Sequence, residues 1–158
     1  MLIGSERIKV VGIGSPSSDD QAGWLVIDAL ANKLPPDVEL TKLDRPGSLL
    51  ISLLEKADKV ILIDAMQCGG SPGEIRHFAL GEWANYRTGL SSHGLGVFDA
   101  LMLAKELDCL PETLDLYGIE IGSALPGDQP SDAISDAAEK LAYRIAKGLT
   151  APLGQVAQ

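Results

Sequence analysis

The chain carries two histidines, and one of them stands where a loop becomes a helix. His93 lies in Ser91-Ser92-His93-Gly94-Leu95-Gly96, between Gly89 and the apolar-periodic stretch Leu95–Leu107. Two other segments end in carboxylates. Val10-Val11-Gly12-Ile13-Gly14 runs into Asp19-Asp20, and Val60-Ile61-Leu62-Ile63 runs into Asp64. Strand ends and helix starts thus offer two carboxylates, Asp20 and Asp64, and one imidazole, a set of types that ligates a metal ion.

Each residue also has a plainer reading. Ser18 or Asp19 can cap the following helix, whose dipole favours acidic residues in its first turn. Asp64 can be a turn aspartate before Gly69-Gly70, and Asp44, followed by Arg45-Pro46-Gly47, has the same duality. His93 can bond to backbone at the helix start; with an ordinary pKa of about 6.5 it is largely neutral at neutral pH and free to donate a lone pair. His77, inside Glu74-Ile75-Arg76-His77-Phe78, is expected to face solvent without a partner. Cys68 reads as inert packing. Gly12-x-Gly14 after a strand resembles a dinucleotide fingerprint, but Ser17 replaces the third glycine, and Asp19-Asp20 stand where pyrophosphate needs bare N–H groups. Such a site invites a cation.

The elements that must position these groups follow from periodicity. β-Branched runs alternate with amphipathic helices, which predicts an α/β/α sandwich on a mostly parallel five-stranded sheet with one antiparallel strand. Strands are expected at Ile8–Ile13, Val38–Leu43, Lys59–Ile63, Gly73–Ala79 and Leu114–Ile121. Lys59–Ile63 is the most apolar and expected to be central. The return through Gly69-Gly70-Ser71-Pro72 is too short for a parallel crossover, so Gly73–Ala79 is expected as an antiparallel edge. Helices are expected from about Asp20 to Leu34, where Pro35-Pro36 stops the chain, and over Leu49–Lys56, Leu95–Leu107 and Ser131 to about Lys147. Leu80–Leu90 and Gly122–Pro130 read as loops, and the tail from Thr150 as frayed.

Composition narrows the setting. With 158 residues the chain reads as one domain, 1–158, and its net charge of −9 disfavours nucleic acid or an anionic membrane. The start Met1–Arg7 lacks the pattern of a signal peptide, and the apolar runs are too short to span a bilayer. Two cysteines make no disulfide framework, so a reducing cytoplasm is expected.

At Val11-Gly12-Ile13-Gly14…Asp19-Asp20-Gln21-Ala22-Gly23, Leu62-Ile63-Asp64-Ala65 and Ser92-His93-Gly94-Leu95, the sequence resembles the [NiFe]-hydrogenase maturation endopeptidases. Leu116-Tyr117-Gly118-Ile119-Glu120 and the Ser-led last helix fit as well, so the resemblance runs over about residues 7–147. Ser15-Pro16 stands where that family usually has asparagine, and Gln21 where a glycine is common. The resemblance implies an endopeptidase that removes a C-terminal extension from a nickel-loaded hydrogenase large-subunit precursor. It implies Asp20, Asp64 and His93 as catalytic nickel ligands, with the nickel supplied by the substrate, and leaves Asp44 for support or substrate contact. A non-catalytic metal-checking protein on the same fold is the alternative.

Overall fold

The structure is a computed structural model that describes residues 6–15, 18–44, 47–67, 69–79, 92–121 and 129–150; the side chains of 18–19, 47–48, 79, 92–96 and 98 are outside that description. The strands are β1 (Ile8–Ile13), β2 (Glu39–Leu43), β3 (Lys59–Met66), β4 (Ile75–Ala79) and β5 (Thr113–Glu120). The helices are α1 (Ala22–Leu30), α2 (Gly47–Glu55), α3 (Ser92–Glu106) and α4 (Asp132–Thr150), and a 3-10 turn, Ser18–Gln21, precedes α1. One five-stranded sheet runs β2-β1-β3-β5-β4. β1, β2, β3 and β5 are parallel, and β4 is antiparallel to β5 at the edge. The expected α/β architecture, central third strand and antiparallel edge are all present.

Both faces of β1 and β3 are mainly apolar because helices cover both. Val11, Ile13, Val60, Leu62, Met66, Leu114 and Leu116 pack with Leu50 and Leu54 of α2 and with Val97, Leu101 and Ala104 of α3. The alternate residues Val10, Ile61, Ile63, Ala65 and Ile119 pack with Val26, Ile27 and Leu30 of α1 and with α4. α4 buries Ile134, Ala137, Ala138, Leu141, Ala142 and Ile145, the spacing of one helical stripe. Among the described residues no helix is long and apolar enough to cross a membrane.

Of the boundaries that differ from expectation, three belong to α1 and β3. The first helix does not begin at Asp20, because Ser18–Gln21 winds as a 3-10 turn and the α-helical bonds start at Ala22. It also ends at Leu30, short of Pro35-Pro36. The Ala31 N–H donates to Asp28 O and Lys33 N–H to Leu30 O, with Asn32 in the left-handed region at φ 66°. Asparagine tolerates that conformation, so it stops the helix before the prolines can. Lastly, β3 does not stop at Ile63. It continues through Asp64-Ala65-Met66, because β5 pairs with it as far as Met66↔Glu120. Leu80–Leu90, most of Gly122–Pro130 and the tail beyond Thr150 lie outside the described residues.

α1 sits unusually close to the sheet. A Cβ on Gly23 would lie 2.3 Å from Ile13 O and 2.7 Å from Ile63 O, and one on Gly12 would lie 2.3 Å from Gly23 O. On α4, a Cβ at Gly148 would meet nothing within 4 Å. Alanine should therefore act in opposite directions at the two helical positions. Gly23→Ala must push α1 off backbone atoms and is expected to cost about 1–3 kcal/mol or more. Gly148→Ala gains helix propensity and should add about 0.5–1 kcal/mol. Thermal unfolding followed by circular dichroism checks both: Tm falls in the first variant and rises by a few degrees in the second.

Candidate active site

Asp64 is the centre of the site. It is fully buried, on the central strand, near the carboxyl edge where open α/β sheets bind their ligands. Alternation along β3 directs its side chain to the α2/α3 face, with Leu62 and Met66. Its Oδ1 accepts the Ala65 N–H at 2.8 Å. Its neighbour in register is Gly118 of β5, where a Cβ would lie 2.6 Å from Met66 Sδ, so the thioether occupies that space. A buried carboxylate among apolar strand residues is costly unless its bonds are satisfied.

Asp20 stands in the 3-10 turn, and that turn packs against β3. Its position is set by Ser15. The Ser15 hydroxyl donates to Asp20 Oδ2 at 2.6 Å, and the Ser15 N–H donates to Asp20 O at 3.2 Å. Ser15 and Asp20 are thus joined twice, and Ser15, the departure at this position, is what joins them. Below it, Leu43 O accepts both the Gly14 N–H and the Trp24 indole N–H, each at 3.0 Å. Those bonds lock the ends of β1 and β2 to the first turn of α1. No side-chain cap is found at α1, whose N-cap residue is Gln21. The side chains of Ser18 and Asp19, the capping candidates, lie outside the described residues.

His93 is the second residue of α3, inside the helix rather than just before it; its side chain is outside the described residues. The direction of α3 still places its first turn. Cys109 Sγ donates to Glu55 Oε2 at 3.6 Å, and the Thr113 N–H donates to Asp58 O at 3.1 Å. The end of α3 therefore stands beside the end of α2, at the amino edge of the sheet. Its 15 residues span about 22 Å, close to the roughly 26 Å of eight-residue β3. The start of α3 accordingly reaches the carboxyl edge, on the face to which Asp64 points.

The remaining candidates sort differently. Asp44 follows β2 at the same edge and is exposed. Cys68 is outside the described residues. His77 is not partnerless: its Nε2 lies 2.9 Å from Asp115 Oδ1, and its ring stacks on Tyr117 at 4.4 Å and 11°. This happens because β4 pairs antiparallel to β5 and puts His77 opposite Tyr117. Burial, and secondarily the Asp115 carboxylate, push the Tyr117 phenol above its usual range.

Glu120 had no role in the sequence reading beyond its place in a matching stretch. It is fully buried at the end of β5, and alternation puts it on the face of Leu114, Leu116 and Asp64. The available signal was a carboxylate in step with the apolar alternation Leu114, Leu116 of that strand. Among the described residues no group of three His, Cys, Asp or Glu side chains forms a metal cage.

What this arrangement supports chemically is a partial set of hard donors. One carboxylate is buried, one is oriented by a serine, and a helix start carrying an imidazole is brought to the same edge. Oxygen and nitrogen donors of this kind suit a divalent transition metal and leave positions open for other ligands.

Comparison with known proteins identifies the family. Residues 25–147 match the family model described as hydrogenase maturation protease, a span that contains Asp64 and His93 and begins after Asp20. The hydrogenase expression/formation protein HupD of Rhodobacter capsulatus is 27% identical over 163 residues, covering 92% of this chain and 77% of that protein. The hydrogenase maturating endopeptidase HybD from E. coli superposes with a TM-score of 0.79 at 25% identity, covering 88% and 89% of the two chains. The [NiFe] hydrogenase maturation protease HycI from Thermococcus kodakarensis KOD1 gives a TM-score of 0.70 at 30% identity, covering 94% and 96%. The chain belongs to the hydrogenase maturation protease family and is, by that membership, a peptidase.

Proposed function

We propose that this chain is the endopeptidase that removes the C-terminal extension of a [NiFe]-hydrogenase large-subunit precursor, and that it recognises nickel already seated in that substrate. The observation that carries the reading is the placement of Asp64: fully buried, central, and directed toward the face where α3 begins. Asp20, held by Ser15, and His93 complete the ligand set. Two oxygens and one nitrogen make a weak nickel site without thiolates, so such a protein does not hold nickel tightly by itself. A precursor that brings both metal and thiolates supplies what is missing. The three side chains then leave coordination positions for the substrate, whose scissile carbonyl is polarised while a neighbouring carboxylate takes a proton from the attacking water. Hydrolysis releases the extension and makes the step irreversible. The lack of a disulfide framework in the composition suits a reducing cytoplasm as the place of reaction.

Gating is tested by treating the protein with a chelator and then incubating it with nickel-loaded or nickel-free precursor. Mass measurement of the large subunit should show cleavage only of the loaded form. Equal cleavage of the nickel-free form would rule out substrate-borne recognition.

The ligand set is tested by substitution in the same assay. His93→Ala, Asp20→Ala and Asp64→Asn each remove one of few donors, and each should slow processing by more than about 100-fold, beyond the range typical of groups that only support a ligand. Asp44→Ala should fall within that supporting range, a loss of about 10–100-fold. Cys68→Ser removes only a thiol and should process normally. A His93→Ala protein with full activity would eliminate the triad.

A further inference from the structure

The loop from Gln67 to Glu74 begins three residues after Asp64 and turns the chain into the antiparallel edge strand. It is rich in glycine, with Gly69 at φ +85° and Gly73 at φ +93°. Adjacent glycines give the backbone its greatest conformational entropy, so the order of such a loop must come from bonds made to it. A single residue of β5 supplies bonds to both of its ends. The Glu120 carboxylate accepts the Gly70 N–H through Oε1 at 3.2 Å. The Glu120 backbone accepts the Gly73 N–H at 2.7 Å and donates to Glu74 O at 2.8 Å.

That carboxylate is fully buried, beside Met66 in register and on the same sheet face as Asp64. Burying a charge is costly, and it is offset where the charge accepts hydrogen bonds that matter. We propose that Glu120 is a positioning residue: its buried carboxylate clamps the Gly69-Gly70 segment and thereby fixes the rim along which the substrate chain lies next to Asp64. This rests on the processing reading above for its consequence, but not for the clamp itself. Glu120 touches no reacting atom. It acts through the loop, so its removal changes how well substrate is held more than how fast the held substrate reacts.

Two substitutions separate the clamp from a general structural role. Glu120→Met keeps the volume and removes the carboxylate oxygens, whereas Glu120→Gln keeps an acceptor oxygen and removes the charge. Amide hydrogen exchange in the full-length labelled protein reports on each loop end. In Glu120→Met the Gly70 amide should exchange at least about tenfold faster. The Gly73 amide, bonded to the Glu120 backbone, should stay within about threefold of the parent. In Glu120→Gln both amides should resemble the parent. With nickel-loaded large-subunit precursor, Glu120→Met should raise KM about tenfold and leave kcat within about threefold, and Glu120→Gln should restore KM. Unchanged Gly70 protection in Glu120→Met, equal loss of protection at Gly70 and Gly73, or a Gln variant as impaired in KM as the Met variant would each overturn the proposal. If the parent protein leaves the precursor uncut, the processing reading fails, and the Gly70 and Gly73 exchange rates still decide the clamp.

Discussion

The close approach of α1 to the carboxyl ends of β1 and β3 is the constraint on which the rest depends. Gly12 and Gly23 let backbone meet backbone, with no room for a side chain at either position. Because the helix sits so low, the 3-10 turn before it is drawn over the end of β3, and Asp20 comes with it. A helix packed at the usual side-chain distance would carry that turn outward, away from the central carboxylate. The Trp24 indole and the Gly14 amide then bind one carbonyl, Leu43 O, so β2 is registered by the same contact. Position at the site is thus a packing property before it is an electrostatic one.

Two carboxylates near the carboxyl edge, Asp64 and Glu120, are wholly buried on one face of neighbouring strands. Each is bonded to backbone N–H groups, Asp64 to Ala65 and Glu120 to Gly70. Backbone donors cannot rotate away as side chains can, so these bonds hold each carboxylate in one orientation. Asp20 is partly exposed and tied to a hydroxyl, a weaker tether that leaves it accessible.

Much of the architecture was legible in the residues because it is written in apolar period. The run Val60–Ile63 has no polar face, which marks a strand covered on both sides, and the Gly69–Pro72 return is too short for a crossover. What could not be read were effects that depend on a partner elsewhere in the chain. β3 extends through Asp64 because β5 lies alongside to receive it, and a carboxylate looks like a strand end when its neighbour is unknown. α1 ends early because Asn32 takes a left-handed conformation, a local event that the more conspicuous prolines hid. His77 finds Asp115 and Tyr117 only through antiparallel pairing with a strand more than thirty residues on. For the site, Asp20 and Asp64 were marked by lying where apolar runs stop. Glu120, at the end of a run whose alternation is broken by Gly118, was marked no differently and was missed as a role.

The position of β5 between β3 and β4 has a consequence for how the chain assembles. β4 follows β3 after only a short return, yet the two never pair; each must wait for a strand that comes later in the sequence. During synthesis the first half of the protein therefore emerges with one edge of its central, most apolar strand unfilled. An edge of that kind is a template for pairing with another chain. Closure requires contacts between residues 59–66 and 113–120, a separation that slows folding by the entropy of the intervening loop. This protease should thus be most exposed to aggregation and to chaperone capture in the interval before residue 120 leaves the ribosome.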